Sequence, residues 1–112
     1  MVDLIRLPMQ WRKKGMVTFT RHEISQLMSV YGEKVSKGEW RDYALDCLPD
    51  MAVFSIFKHS HENPIYSVTK TASKQAKRRI KFAVYDAEKL LIQNQSLLEV
   101  MQVFKEDHKK KK

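Results

Sequence analysis

The chain has 112 residues, of which 43% are hydrophobic and 10% aromatic, which predicts one domain with a packed core and excludes a disordered chain. Its net charge of +8 at pH 7 predicts a polyanionic partner. The one cysteine, Cys47, excludes an internal disulfide, so a reducing and therefore cytoplasmic location is expected. No apolar run approaches the roughly 18 to 20 residues of a membrane span, so no membrane partner is expected.

Residues 1–15 are expected to form an N-terminal arm that precedes the domain. Asp3 stands before the apolar run of this arm and basic residues stand after it, which is the reverse of the charge order in a secretory signal. No export is therefore expected. The alternating residues 16–20 then predict a short strand.

A helix is predicted to begin at Thr20, because Thr20 and Glu23 have the spacing of a capping box. The apolar residues that follow share one face of a helix with a period of 3.6 residues. They are Ile24, Leu27, Met28, Tyr31 and Val35. Gly38 is the predicted end, since glycine readily adopts the positive φ found after a helix.

Several segments rich in aromatic and β-branched residues follow, with turn residues between them, and they predict an antiparallel meander of four to five strands. The predicted strands are 40–48, 52–59, 65–71, 79–85 and, as the optional fifth, 90–93. Ser96 and Glu99 repeat the capping-box spacing and predict a second helix over 96–106. The fold class is therefore α+β, with one helix before the meander and one C-terminal helix packed on one face. The single domain covers 16–106, and 107–112 form a basic, flexible tail.

The positive charge is concentrated between residues 65 and 89. This segment contains seven Lys and Arg residues and only two acidic residues, Asp86 and Glu88. Exposed cations of this kind contact phosphates without reading sequence, so the region predicts nucleic-acid binding. The predicted contacts are Lys70, Lys74, Lys77, Arg78, Arg79 and Lys81. The alternative is a solvated basic loop that only aids solubility, and the same two interpretations apply to the lysines at 109–112.

Two aromatic residues near the basic region, Tyr66 and Tyr85, are candidates for stacking on unpaired bases, although such residues more often belong to a core. Phe82 is expected to face inward, because Ile80, Phe82 and Val84 occupy every second position and so share one face of the strand. The sequence therefore offers a polyanion site with two adjacent aromatic candidates.

A second group of side chains capable of directed contacts lies where the first helix meets the first predicted strand. It consists of Trp40, Arg41, Asp42 and Tyr43. One hypothesis is an internal clamp in which Arg41 pairs with Glu39 or Asp42. The other is an interface in which Trp40 and Arg41 anchor a protein partner.

An enzyme interpretation would use Asp42 and Asp46 with His59 and His61 as bases or metal ligands. Only three glycines are present and none forms a glycine-rich phosphate loop, and no residue is marked as a nucleophile. We therefore expect no enzyme activity, no catalytic or metal site, no cofactor and no small-molecule substrate.

The run from Tyr31 to Ala44, with the pattern YGxxVxxGEWRDYA, resembles a small bacterial family of uncharacterised domains. The further matches are Phe19, Arg21, Glu23 and Lys70. The resemblance covers roughly residues 19 to 104. It implies a compact bacterial cytoplasmic domain and supplies no catalytic residues.

The leading hypothesis is a small DNA-binding transcriptional regulator that acts as a homodimer, with DNA preferred over RNA. Dimerisation is expected because two-fold symmetry would double the phosphates within reach of so small a chain. The alternative is a non-enzymatic adaptor that binds a protein through the Trp40/Arg41 corner and a sheet edge.

Overall fold

The computed structural model describes residues 16–59, 62–73 and 79–110, with side chains described as far as residue 105. The elements in chain order are α1 (Arg21–Ser36), β1 (Asp42–Cys47), β2 (Met51–Phe57), β3 (Tyr66–Ala72), β4 (Ile80–Asp86), β5 (Leu90–Asn94) and α2 (Leu97–Lys110). The predicted α+β fold with a meander between two helices is confirmed. The predicted arm at 1–15 lies outside the described residues.

The first helix begins and ends where its local sequence predicts. The Thr20 hydroxyl accepts a hydrogen bond from the Glu23 amide at 3.1 Å, and the Glu23 carboxylate accepts one from the Thr20 amide at 2.8 Å. This reciprocal pair satisfies two amides that have no partner inside the helix. After the helix, Gly38 has φ of 75° and its amide donates to the Val35 carbonyl at 2.9 Å. A side chain at Gly38 would strain this backbone conformation.

The predicted strand at 16–20 is wrong. Val17 and Phe19 are buried in alternation, but the segment is not part of the sheet. The Val17 amide donates to the Leu48 carbonyl at 2.9 Å, but the described residues provide no ladder of such bonds, which a strand needs. The alternating sequence therefore reports alternating burial, and it does not by itself supply a paired strand.

The second helix extends four residues beyond its predicted end at 106, because α2 ends at Lys110. Residues 109 and 110 are lysines, and lysine is a good helix former. The helix therefore includes residues that we expected to belong to the tail.

The five strands form one sheet in the order β1-β2-β3-β4-β5, with every neighbouring pair antiparallel. Side chains alternate between its two faces. One row across the sheet consists of Leu45, Phe54, Val68, Val84 and Ile92. Both helices pack on this face, as the contacts of Tyr31 with Phe54 and of Phe104 with Tyr66 show. We call it the covered face, and we call the opposite one the outer face.

Aromatic side chains join both helices to the covered face. Trp40 is only 5% exposed, and the centroid of its ring lies 5.0 Å from that of Phe104, 6.1 Å from that of Tyr31 and 6.2 Å from that of Tyr66. Phe104 also contacts Tyr66 edge to face at 5.1 Å. Each such pair contributes about 0.5–1.5 kcal/mol beyond the burial of its area. This aromatic cluster therefore fixes α1, β3 and α2 against one another.

Two lysines are buried on the same side of the molecule. The Lys70 ammonium donates to the Glu23 carboxylate at 2.8 Å and to the Thr18 carbonyl at 2.9 Å. The Lys34 ammonium donates to the Glu39 carboxylate at 3.3 Å and to the Phe104 carbonyl at 3.1 Å. A buried charge is tolerated when it is paired and hydrogen-bonded in this way. Each lysine thereby links elements that are far apart in the sequence.

The Glu23–Lys70 pair predicts a difference between two matched substitutions. Glu23→Gln removes the charge opposite the buried Lys70 ammonium, and it is expected to lower the free energy of unfolding by about 1–3 kcal/mol. Glu33→Gln removes a carboxylate from an exposed pair with Lys37 at 3.9 Å, and it is expected to change that free energy by less than about 0.5 kcal/mol. Urea unfolding of both variants measures the two effects. Equal effects would contradict the structural role of Lys70.

Candidate functional site

One end of the outer face carries exposed cations beside a groove of about 420 Å³. At this end Met51 of β2, Thr71 of β3 and Lys81 of β4 are in register, so their side chains form a row on the outer face. Arg79 and Asp50 also line the groove. We call this part of the molecule the basic end.

Arg79 and Lys81 are both exposed, and within the described ranges no ion pair joins either of them to an acid. The Ser73 amide donates to the Arg79 carbonyl at 3.1 Å, so the two ends of the β3–β4 connection meet beside the groove. Asp50 is the acidic residue that shares the groove lining. Two cations are therefore free to meet an anionic ligand.

Three of the other predicted phosphate contacts lie in the connection between β3 and β4. Lys74, Lys77 and Arg78 belong to residues 74–78, which lie outside the described residues. The backbone of Lys109 and Lys110 belongs to α2, while their side chains and residues 111–112 lie outside the described part.

Lys70 does not belong to the exposed set, which corrects the sequence-based assignment. It lies on the covered face opposite Ala52 and Phe82, it is 7% exposed, and Glu23 pairs with its ammonium. The reason is strand parity, since Lys70 has the same parity as the buried Val68. That parity could have been recognised in the sequence, where the charge alone suggested exposure.

The two predicted stacking residues lie on opposite faces of the sheet. Tyr66 is half-buried in the aromatic cluster beside Trp40 and Phe104, so its ring packs in the core and is not a free platform. Tyr85 lies on the outer face opposite Ser67 and is 38% exposed. Phe82 is buried on the covered face, as predicted. Tyr85 is therefore the one of the two with an accessible ring.

The corner between α1 and β1 is organised by a residue that sequence analysis missed. We predicted that Arg41 pairs with Glu39 or Asp42, whereas the structure shows Lys34 pairing with Glu39 at 3.3 Å. Lys34 follows Leu27 by seven residues and so shares its helix face, which is the signal that could have identified it.

The other members of the corner are divided between the interior and the surface. Trp40 is buried, whereas Arg41 and Asp42 are exposed. The Asp42 carboxylate accepts a hydrogen bond from the Tyr43 amide at 2.8 Å. Burial, together with the nearby Asp42 carboxylate, raises the pKa of the Tyr43 hydroxyl. The corner therefore stabilises the fold and offers few free groups to a partner.

The opposite end of the sheet is acidic. Glu62, Asp86, Glu88 and Lys89 line a cleft of about 1090 Å³ between the β2–β3 and β4–β5 connections. The Asp86 carboxylate accepts hydrogen bonds from the amides of Glu88 and Lys89 at 3.0 Å each, and these bonds hold the pKa of Asp86 below its ordinary value. The sheet therefore separates a basic end from an acidic one.

The residues considered for enzyme chemistry do not assemble into a site within the described part of the chain. Asp42 and Asp46 are exposed on β1, His59 is exposed beyond β2, and His61 lies outside the described residues. Among the described residues, no three His, Cys, Asp or Glu side chains group closely enough to hold a metal ion. None of the described helices is both long and apolar enough to cross a membrane.

Together these features define a small α+β domain with an antiparallel meander, both helices on one face and a basic end on the other. The chain belongs to the family described as "Protein of unknown function (DUF2794)", which matches residues 17–101. This confirms the predicted membership of a family of uncharacterised domains. No curated protein and no solved structure matches the chain.

Cys47 gives a direct test of the geometry of β1. Burial raises the pKa of its thiol above the ordinary value of 9.0, and the Asp46 carboxylate raises it further. The thiolate fraction at pH 8 should therefore be lower than in an unstructured peptide, and Asp46→Asn should increase it. The pH dependence of the rate at which Cys47 reacts with a disulfide reagent measures the thiolate fraction. A midpoint at or below the ordinary value would contradict the half-buried position of Cys47 on β1.

Proposed function

We propose that the chain is a non-enzymatic nucleic-acid-binding protein of the cytoplasm, and specifically a small DNA-binding transcriptional regulator. The observation that supports the proposal is the exposure of Arg79 and Lys81 beside one groove, without an acidic partner among the described residues. Phosphate groups are the ligands that such cations bind in nucleic acids.

The distribution of charge favours this end of the molecule over others. The acidic cleft lies at the far end of the same strands, so a polyanion approaching the sheet is repelled there and attracted at the basic end. Lys70 and Lys34 contribute little to this attraction, because each is buried and paired with a carboxylate. The net charge of +8 therefore does not by itself indicate which part of the surface attracts phosphate.

The sequence supplies three more cations to the proposed site. Lys74, Lys77 and Arg78 lie in the connection that joins Ser73 to Arg79, and we include them in the phosphate-binding set on that basis. Five phosphate contacts would cost roughly two to three decades of affinity between 50 and 200 mM salt, because each contact releases condensed counterions. Binding should therefore depend steeply on salt.

A homodimer is part of the proposal. β1 and β5 are the edge strands of the sheet, and each has one neighbouring strand in it. A second copy related by two-fold symmetry would bring two basic ends to one duplex and match a palindromic target. Two-fold pairing would thus double the phosphates reached by a domain of 13.2 kDa.

The alternative function is a protein adaptor, and Trp40, its main predicted anchor, is buried. Trp40 is buried against Phe104, so it cannot enter a partner's pocket without disrupting the core. Arg41 remains exposed beside it. An adaptor would have to rely on Arg41 and a sheet edge, which offer fewer anchoring contacts than the basic end.

A charge-matched pair of double variants tests the proposal. Arg79→Ala with Lys81→Ala should weaken binding of a labelled duplex about tenfold at 100 mM salt and lower the slope of log affinity against log salt by about 2. The control, Lys58→Ala with Lys105→Ala, removes the same charge from exposed sites elsewhere and should change affinity by less than about twofold. Fluorescence anisotropy over a salt series measures both. Equal losses in the two variants, or no binding by the unmodified chain, would contradict the proposal.

A further inference from the structure

We propose that the free edge of β5 is the surface through which two copies of this chain pair, as antiparallel β5 strands related by a two-fold axis at Gln93. This inference rests on the homodimer of the proposed function and deepens it by naming the surface and its partner, a second copy of the chain. In the sheet β5 has β4 as its one neighbour, so the other edge of β5 is free to accept a strand.

The composition of β5 is that of a strand that pairs on both edges. Residues 90–98 contain no charged residue, although 30% of the chain is charged. β5 holds three consecutive large aliphatic residues, and none of them is buried, because Leu90 is 45% exposed and Leu91 and Ile92 are half-buried. Edge strands are usually protected from pairing by charged residues or proline. β5 has neither, so its edge is suited to a further strand.

The hydrogen bonds of β4 show which way the backbone of β5 points. The Ser73 amide donates to the Arg79 carbonyl at 3.1 Å, where β4 begins beside β3. In an antiparallel pair the hydrogen-bonded positions alternate along each strand. Odd-numbered residues of β4 therefore direct their backbone groups toward β3, and even-numbered residues direct theirs toward β5.

Gln93 is the residue of β5 whose backbone groups point to the free edge. Ile92 is opposite Val84 in the register of the two strands. Asn94 is likewise opposite Phe82. Val84 and Phe82 are even-numbered residues of β4, so the backbone groups of Ile92 and Asn94 bond toward β4. Those of Gln93, between them, point away from the sheet. The shift in register precedes Ile92 along β5, so the segment from Ile92 to Asn94 is regularly paired.

A two-fold axis at Gln93 satisfies these backbone groups with a second copy. The Gln93 amide of each copy donates to the Gln93 carbonyl of the other, as in any hydrogen-bonded antiparallel pair. Ile92 of each copy then lies opposite Asn94 of the other, and both side chains belong to the covered face. Such an interface uses the same surface on both copies and is closed by the two-fold axis.

The other edge of the sheet is unsuited to the same pairing. Asp42 and Asp46 are exposed on β1, so two paired β1 strands would gather four carboxylates, two from each copy, at one interface. Like charges across paired strands are destabilising. A contact of β5 with β1 of a second copy would leave a free edge on each and continue into an open filament. Charge and closure therefore both favour pairing through β5.

The charges of two copies are complementary in this arrangement. Antiparallel pairing reverses the second copy, so the acidic cleft of each copy lies beside the basic end of the other. Three strand spacings, about 14 Å, separate the two β4 strands. Complementary charge of this kind orients partners as they meet. It favours a second copy of this chain as the occupant, because the copy itself supplies both signs of charge at the required places.

The pairing also sets the positions of the two basic ends. The axis is perpendicular to the sheet, so both outer faces lie on the same side of the dimer. The backbone positions of Lys81 in the two copies are separated by roughly 20 Å and those of Arg79 by roughly 30 Å, from the rise and spacing of strands. One turn of duplex DNA is about 34 Å long. The two basic ends are therefore spaced for phosphates about one turn apart.

A pair of substitutions at Gln93 tests the interface. Gln93→Pro removes the outward amide and leaves the bonds to β4 intact, so it should raise the dissociation constant of the dimer at least about tenfold. Gln93→Thr keeps the amide and should stay within about twofold of the unmodified chain. Sedimentation equilibrium over a range of concentrations measures both, and circular dichroism reports whether each variant is folded.

Covalent linkage tests the geometry without relying on the fold of the proline variant. In a Cys47→Ala background, Gln93→Cys should form a disulfide-linked dimer under mild oxidation, because directly opposite residues have Cα atoms about 5.5 Å apart, within the range of a disulfide. Asp46→Cys in the same background places an exposed thiol on β1, the other edge strand, and should remain monomeric in a denaturing gel.

The outcomes separate the interface from the proposed function. If Gln93→Cys forms no linked dimer, if Asp46→Cys links to the same extent, or if a folded Gln93→Pro variant dimerises like the unmodified chain, the β5 interface is overturned. The DNA-binding proposal is then decided by Arg79→Ala with Lys81→Ala alone. A linked Gln93→Cys dimer that binds no duplex supports the interface and overturns the proposed function. Both are supported if Gln93→Pro binds duplex with about half the salt slope of the unmodified chain.

Discussion

The packing of Trp40 against Phe104 is the contact on which the arrangement of the molecule depends. Their ring centroids lie 5.0 Å apart, and Trp40 also contacts Tyr31 of α1 and Tyr66 of β3. Because both helices and the third strand meet at this indole, both helices lie on the same side of the sheet. Neither of the two described helices covers the other side, at one end of which Arg79 and Lys81 are exposed.

The role of each cation is decided by the face on which it lies. Lys70 and Lys81 belong to neighbouring strands and are close in register, since Lys81 is opposite Thr71. Yet Lys70 is turned inward, where Glu23 and the Thr18 carbonyl satisfy it, while Lys81 is turned outward beside Arg79. A shift of one residue in a strand therefore separates a structural cation from one that is available to a ligand. The charge of a segment alone does not make this distinction.

The local signals in the sequence predicted the elements well, because their causes are local. The Thr20 capping box, the positive φ at Gly38 and the turn residues between strands all act within a few positions, and the structure shows them. The failures involve partners that are distant in sequence. Residues 16–20 alternate like a strand but lack a neighbouring ladder, and the burial of Lys34 depends on the Phe104 carbonyl, 70 residues away. For the site, exposure of Arg79 and Tyr85 was predictable as a tendency, whereas their position relative to the core required the register.

In the proposed complex, phosphate groups of a nucleic acid lie beside Arg79 and Lys81 at the basic end. The most direct measurement is a chemical-shift map of the labelled chain titrated with a short DNA duplex. Shifts are expected at Thr71, Arg79 and Lys81, which line the basic groove, with the indole of Trp40 and the ring of Phe104 unchanged. Shifts confined to the helices and the Trp40 corner, or no shifts at low salt, would contradict the proposed complex.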